Sequence, residues 1–318
     1  MNHIKLAENP EKFRSDFSVS VIIPTYNRSK NLKIALNSIF KQTRLADEVI
    51  VVDDGSRDNT ERIVLDTFPQ VKYSRQDHQG VSAARNTGIK ISSCQWLSFL
   101  DSDDQWLAKK LEMQIEMLKQ NPEYRICHTN EIWIRRGKRV NPKKKHQKFG
   151  GYIFNKCLPL CVISPSSVII HNSIFKKYGL FDESLPVCED YDFWLRICAY
   201  LPVLYIKKPL IVKYGGHHDQ LSNKFSGMDR FRIYALEKII NDAKLDNDKR
   251  IAAIQVLLQK IDIYLNGVKK RDKREEIDLF EQKKKMYLEK LAHTANHRND
   301  DISKKEGFRT STYSKTIL

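Results

Sequence analysis

Three acidic stretches and a histidine pair hold the side chains best suited to chemistry in this chain. "FLDSDDQW" (99–106) ends an apolar run in Asp101, Asp103 and Asp104. Like charges this close repel one another, and burying one unpaired is costly or forces its protonation. Either water at a turn or a cation must therefore meet them. Their hard oxygens suit Mg²⁺ or Mn²⁺, which bind one or two carboxylates and complete their shell with substrate phosphates. Asp104 by itself reads as the cap of the next helix. "VVDDGS" (51–56) offers Asp53 and Asp54, either closing a strand or accepting hydrogen bonds from a ribose or a base. "CEDYDFW" (188–194) sets Glu189, Asp190 and Asp192 at the start of a helix, where the dipole favours ionised carboxylates. An acid there, beside Phe193 and Trp194, has the chemistry of a general base. "GGHHDQ" (215–220) carries His217 and His218 after two glycines, as metal or phosphate contacts or as a surface turn.

The elements that must position these groups alternate in type. "SVSVIIPTY" (18–26) is a short apolar run and reads as a buried strand. "SKNLKIALNSIF" follows with Leu32, Ala35, Leu36 and Ile39 on one helical face. Strands are expected again over 47–56, 71–76 and 96–100, with helices between them and one after the last, through Leu107, Leu111, Ile115 and Leu118. This order predicts an α/β fold, a mostly parallel sheet flanked by helices. Ligands of such sheets bind beyond the carboxyl ends of the strands. "PTYNR", "DDGS" and "DSDD" all fall there, so the topology gathers three distant clusters on one edge. Beyond this region, 135–148 is a basic, proline-broken loop, 203–222 reads as two short strands and a turn, and the chain from Asp229 is helical and basic, with a polar tail after His293.

The chain has 318 residues, 41% hydrophobic and 30% charged, which suits a globular protein. Its net charge of +16 suggests a polyanionic partner: nucleic acid, an anionic membrane or a phosphorylated substrate. The segment 251–265 is interrupted by Lys260 and Asp262, and no stretch reaches the roughly 18 apolar residues of a spanning helix. The start has no apolar core of a secretory signal, so a cytoplasmic location is expected. Six scattered cysteines without a C-x-x-C pair indicate neither a disulfide framework nor a zinc site, and Cys157 and Cys161 read as core thiols. There is no P-loop and no G-x-G-x-x-G, which argues against ATPase and dehydrogenase chemistry.

Taken together and in order, "VIIPTYNR", "VVDDGSRDNT", "GVSAARNTGI", "FLDSDDQW" and "EDYDFWLR" resemble the family 2 glycosyltransferases, whose fold is the Rossmann-like GT-A fold. The resemblance covers about residues 18–222. It implies a GT-A domain with a nucleotide half of about 18–122 and an acceptor half of about 123–222, preceded by a lead of 1–17 and followed by a helical basic extension over 223–318. It also implies a sugar-nucleotide donor, usually uridine-linked, a Mg²⁺ or Mn²⁺ ion, and inversion at the anomeric carbon. Pro24, Thr25, Tyr26 and Arg28 would line the nucleotide pocket, and Asp54 would hold the base. Arg85 and Asn86 fall beside the nucleotide, and Asp101 sits at the ribose contact. Asp103 would ligate the metal, and Asp190 would be the base. His217 matches a histidine near the diphosphate and metal, with Gly215 and Gly216 standing where the family often has arginine. The acceptor is expected to be a glycan or a lipid-linked glycan in surface polysaccharide or glycolipid synthesis. A peripheral contact of the basic extension with anionic membrane would follow, and no nucleic acid is expected.

Two other classes compete. A metal-dependent nucleotidyltransferase uses a similar sheet but wants a glycine- and lysine-rich phosphate loop after the first strand, and "PTYNRSKN" is poor in glycine. A non-enzymatic basic protein would explain the charge, yet the lysine clusters lie outside the motif region and no nucleic-acid module is recognisable.

Overall fold

A computed structural model describes residues 17–216, 225 and 227–313. The chain divides into two compact units, one of Met1–Lys143, Ile163–Glu183 and Val203–Gly216, the other of Lys144–Val162, Ser184–Pro202 and His217–Leu318. The stretch expected to form the acceptor half is thus shared: its strands belong to the first unit, and its helices near 154 and 189 to the second.

The first unit is built on strands β1 (Val19–Thr25), β2 (Glu48–Asp53), β3 (Lys72–Arg75) and β4 (Trp96–Phe99), alternating with helices α1 (Ser29–Phe40), α2 (Thr60–Thr67) and α3 (Val81–Ile91). Then come β5 (Gln105–Trp106), α4 (Lys110–Gln120), β6 (Ile126–Arg135), β7 (Lys138–Val140), β8 (Ile169–His171), α6 (Ser173–Tyr178) and β9 (Leu204–Gly215). The strands form one nine-stranded sheet in the order β3-β2-β1-β4-β8-β6-β9-β5, with β7 paired to β6. β3, β2, β1 and β4 are mutually parallel, with Thr25 opposite Asp53 and Ile22 opposite Phe99. The segments after β1, β2 and β4 therefore leave from one edge, as the sequence pattern requires. The other half of the sheet mixes directions: β8 runs antiparallel to β4 and β6, and β9 parallel to β6.

β1 is buried throughout because both its faces are covered. Val19, Val21 and Ile23 pack in the core with Leu32, Leu36 and Ile39 of α1 and Leu111, Ile115 and Leu118 of α4. Ile22 meets α3 on the other face, so closely that a Cβ on Gly88 would lie 2.3 Å from Ile22 Cγ2. A polar anchor that periodicity does not reveal sits under α4: buried Lys110 reaches Ser98 Oγ at 2.9 Å and Gln114 Oε1 at 2.8 Å, over the Trp106 ring. Burial pushes its amine well below the usual lysine range.

Within the described part of 203–222, up to Gly216, there are not two short strands. β9 is a single strand of 12 residues. The register slips around Asn130, opposite Pro209, so a bulge absorbs the proline that cannot donate to the ladder.

The second unit is helical: α5 (Phe154–Cys157), α7 (Glu189–Cys198), α8 (Asp229–Ile240), α9 (Asn247–Lys269) and α10 (Arg274–Tyr313). α10 continues past His293 through the stretch read as a tail. α9 is long and apolar enough to cross a membrane by length and composition. Its buried Ala253, Ile254, Leu257, Ile261 and Leu265 belong to this unit's own core, where α9 packs with α8 and α10. All six cysteines are free thiols.

Candidate active site

Backbone geometry at the carboxyl edge of β1 and β2 ties the first two motifs together. Asn27 takes a positive φ of 50° after β1, and its N–H donates to Ser56 Oγ at 2.8 Å while its Oδ1 accepts from Arg57 N at 2.7 Å. Thr25 Oγ1 is buried there with no hydrogen-bond partner. Asp53 is wholly structural: it accepts from Ser56 N at 2.8 Å and Tyr73 Oη at 2.6 Å. Burial and the bond to Asp53 push the Tyr73 hydroxyl far above its usual range.

Asp54, expected to hold a base, accepts on Oδ1 from Gln76 Nε2 at 2.8 Å and Gln79 N at 2.9 Å. Its Oδ2 accepts from Gly80 N at 2.8 Å and pairs with His78 Nδ1 at 2.7 Å. The His78 ring lies on Tyr26, centroids 4.0 Å apart and planes 16° from parallel. The turn is glycine-dependent: Gly55 has φ +81°, and a Cβ there would lie 3.1 Å from His78 N.

The third cluster is held by cations. Arg85, buried on α3, donates from Nη2 to Asp101 Oδ1 at 2.7 Å. Arg28 forms an ion pair with Asp103. Burial raises the Asp101 carboxyl, but Arg85, Lys213 and Arg28 outweigh it and hold the group below its usual range. Asp104 goes the other way. Burial, with Asp101 and Asp103 adding to it against Lys213, pushes its carboxyl well up. Its Oδ2 accepts from Ser166 Oγ at 2.7 Å and its Oδ1 from Tyr214 N at 3.1 Å, so it anchors β9 to this loop. It does not cap α4, whose N-cap is Lys109. Asn86, expected beside the nucleotide, is occupied elsewhere: it donates to Phe181 O at 2.9 Å and Glu183 Oε1 at 2.7 Å and accepts from Phe181 N at 3.0 Å.

Several participants have no sequence signal. Ser166 supports the loop twice, donating to Asp104 and accepting from Asp101 N at 3.1 Å. Lys213 faces Asp101 and Asp104 from β9, its Nζ 3.4 Å from Ser164 Oγ. Ser164 in turn donates to buried Glu131 at 2.7 Å.

In the helical unit, the three acids of "CEDYDFW" separate by environment. Glu189 is buried. Asp192 is buried and bound by Arg196 at 3.0 Å and Lys238 at 2.8 Å. Asp190 is part-exposed and accepts from Tyr191 N at 2.7 Å and from the Cys161 thiol at 3.2 Å. Cys157 is buried as expected; Cys161 is not a core thiol but a part-exposed neighbour of Asp190. His217 and His218 lie outside the described residues. Among the described residues no group of three or more His, Cys, Asp or Glu side chains is arranged to hold a metal.

The parallel-sheet edge of this α/β unit thus gathers carboxylates, arginines and the stacked Tyr26–His78 pair. The sequence model of glycosyl transferase family 2 matches residues 20–179, and the chain belongs to that family. It is 35% identical over 192 residues to the Escherichia coli UDP-Glc:alpha-D-GlcNAc-diphosphoundecaprenol beta-1,3-glucosyltransferase WfgD, covering 57% of this chain and 70% of that protein. It is 33% identical over 215 residues to an uncharacterized glycosyltransferase of Rickettsia conorii, covering 65% of this chain but only 35% of that protein's length. Among solved structures, S. aureus TarS 1–349 in complex with UDP-GlcNAc superposes with a TM-score of 0.62 at 23% identity, over 77% of this chain and 71% of that one. That likeness bears out the GT-A fold.

Proposed function

We propose that the chain is an inverting glycosyltransferase that moves a sugar from a uridine-diphosphate donor to a hydroxyl acceptor. The observation that carries this reading is the set of matched ion pairs at the sheet edge, Arg85 with Asp101 and Arg28 with Asp103. They keep acidic and basic groups ready for a ribose and a diphosphate. The UDP-GlcNAc bound by TarS supports the choice of nucleotide. In this reading Tyr26 and Asp54 receive the base, and Arg28, released from Asp103, meets phosphate.

Asp103 fits a divalent cation: its oxygens are hard donors, its side chain is part-exposed, and a positive group already sits against it. Asp103 would hold Mg²⁺ or Mn²⁺, with His217 as the second protein ligand the family pattern suggests. The ion would supply charge neutralisation at the departing diphosphate. Asp190 takes the proton from the acceptor hydroxyl as that oxygen attacks the anomeric carbon, and one displacement inverts the centre without a protein nucleophile. Its neutral partners favour it over Asp192, whose charge is already committed to Arg196 and Lys238.

The acceptor in this reading is a lipid-linked glycan, supported by the substrate in the name of WfgD. The exposed Lys269, Lys270, Arg271, Lys273 and Arg274 then meet an anionic membrane surface. The deciding experiment is hydrolysis of a sugar-nucleotide panel with Mn²⁺, with and without acceptor extracts. Turnover of a UDP-sugar supports the reading, and no turnover or thermal stabilisation with any of them defeats it. Co-sedimentation with anionic vesicles at low salt, lost at high salt, tests the membrane contact; wild-type protein that ignores such vesicles rules it out.

A further inference from the structure

The arrangement around Tyr26 has a feature that the donor reading does not use. A flat ring already lies on the tyrosine, and its ring nitrogen already bonds to Asp54. His78 Nδ1 lies 2.7 Å from Asp54 Oδ2 and is hydrogen-bonded to the Asp54 backbone O at 3.2 Å; both oxygens can only accept, so this nitrogen carries the hydrogen. The imidazole thus presents to Tyr26 and Asp54 a planar π-face and an in-plane N–H. A uracil-type base presents the same two features, since its imide N–H needs an acceptor and its face needs a platform.

The carboxylate is closely surrounded. Two oxygens offer about four acceptor sites; Gln76 Nε2, Gln79 N and Gly80 N donate to them, and His78 Nδ1 stands against Oδ2. Two of the four are backbone groups of the 76–80 turn and cannot leave without unmaking it. The glutamine is itself held, its Oε1 accepting from Thr87 Oγ1 at 2.7 Å. His78 is different. Its side chain is 56% exposed, so rotation about χ1 carries the ring into water without opening the core.

We propose that His78 is a placeholder for the nucleobase, which must swing off Tyr26 and Asp54 before the donor's base can enter. This rests on the donor reading above. The device gates the site: the apparent affinity for nucleotide is the intrinsic affinity reduced by the fraction of molecules with His78 turned out. It also gives selectivity, because only a ring that replaces both the stack and the N–H bond recovers what the imidazole gives up.

The test is binding of uridine diphosphate, with Mn²⁺, to the full chain and to His78→Ala. The variant should bind about 3- to 30-fold more tightly, the range expected when one stacked ring and one hydrogen bond no longer compete. His78→Phe keeps a ring but no N–H and should fall between the two. A histidine whose ring protons sit over Tyr26 resonates upfield, and that shift should collapse as uridine diphosphate saturates the wild type, which needs no variant to fold. Equal or weaker binding by His78→Ala, or an unmoved His78 signal at saturation, overturns the placeholder while leaving the donor site standing. If neither wild type nor variant binds uridine diphosphate, the donor reading fails and takes this inference with it.

Discussion

"DSDD" at 101–104 and "EDYD" at 189–192 look alike as sequence and fold to opposite electrostatic ends. At the sheet edge two carboxylates are met by cations, Asp101 by Arg85 and Asp103 by Arg28, while burial pushes the third, Asp104, the other way. On α7 Asp192 is treated that way, by Arg196 and Lys238. Asp190 has a thiol and a backbone N–H instead. A cation beside a carboxylate lowers its appetite for a proton. In the proposed reading the first cluster holds charged ligands, and Asp190 in the second takes the proton.

The sharpest way to break this contrast is at Asp190. Asp190→Asn should leave uridine diphosphate binding intact and lower transfer by about 10²–10⁴, the usual span for a lost general base. Glu189→Gln is the control, measured by the same transfer assay. If the glutamate change alone abolishes transfer, the base is Glu189 and the argument from neutral partners is wrong.

Asp103 comes next. Asp103→Asn keeps an oxygen but removes the charge, and should cost about 10²-fold in Mn²⁺-dependent transfer, because several kcal/mol of charge stabilisation at the diphosphate are lost. A metal titration checks it: the variant should need far more Mn²⁺ for the same rate. Wild-type turnover at wild-type Mn²⁺ would remove Asp103 from the metal.

Much of the sheet edge was legible because its signal is local. β1, β2 and β4 are apolar runs that stop at turn residues, and α1 has its buried positions at helical spacing. The mixed half was not. β6 reads "ICHTNEIWIR", whose polar residues hide a strand that alternates only in part, and Lys207, Lys208 and Pro209 interrupt β9 where a bulge carries it on. The site divides in the same way. Asp101 and Asp103 announce themselves by clustering. Ser166, Lys213, His78 and Cys161 do not, since each matters only through a partner at least 24 positions away, brought near by the topology. Asp54 and Asn86 fall at the nucleotide by the family pattern; their bonds to the 76–80 turn and to Phe181 and Glu183 are not legible in that pattern.

A stability test sharpens the comparison without touching any acid. Gly88 sits three positions after Arg85 on α3, in contact with Ile22. Gly88→Ala forces α3 off β1 and should destabilise the protein by about 1–3 kcal/mol, the usual cost of overpacking. Denaturant midpoints measure it in a double-mutant cycle with Ile22→Ala, which removes the Cγ2 that a Cβ at position 88 would meet, and the pair should cost less than the sum of the two single changes, since the two sites share one contact. Because Arg85 travels with α3, uridine diphosphate binding should weaken along with stability. An unchanged midpoint would mean that α3 does not depend on this close approach.

The smallest effect belongs to Asp104, which shares a motif with Asp103 but not its environment. Burial raises its carboxyl well above the ordinary value, with the neighbouring acids adding to the shift. Between the unfolded value near 3.8 and the raised folded value, the folded chain holds a proton that the unfolded chain has released. That contribution to stability is fully present below the unfolded value near 3.8 and is lost as pH rises through the raised folded value. Asp104→Asn removes the titration while keeping an oxygen for Tyr214 N and placing a donor toward Ser166 Oγ. Relative to wild type, the variant should gain stability as pH rises from about 4 toward 8, by no more than about 1.4 kcal/mol per pH unit, the limit for one proton. Thermal midpoints of both proteins across that range read the slope, and transfer at neutral pH should change far less than in Asp103→Asn. A variant that loses stability relative to wild type as pH rises would show that Asp104 is ionised in the fold. Asp104 would then belong with Asp101 and Asp103 as a charged member of the edge.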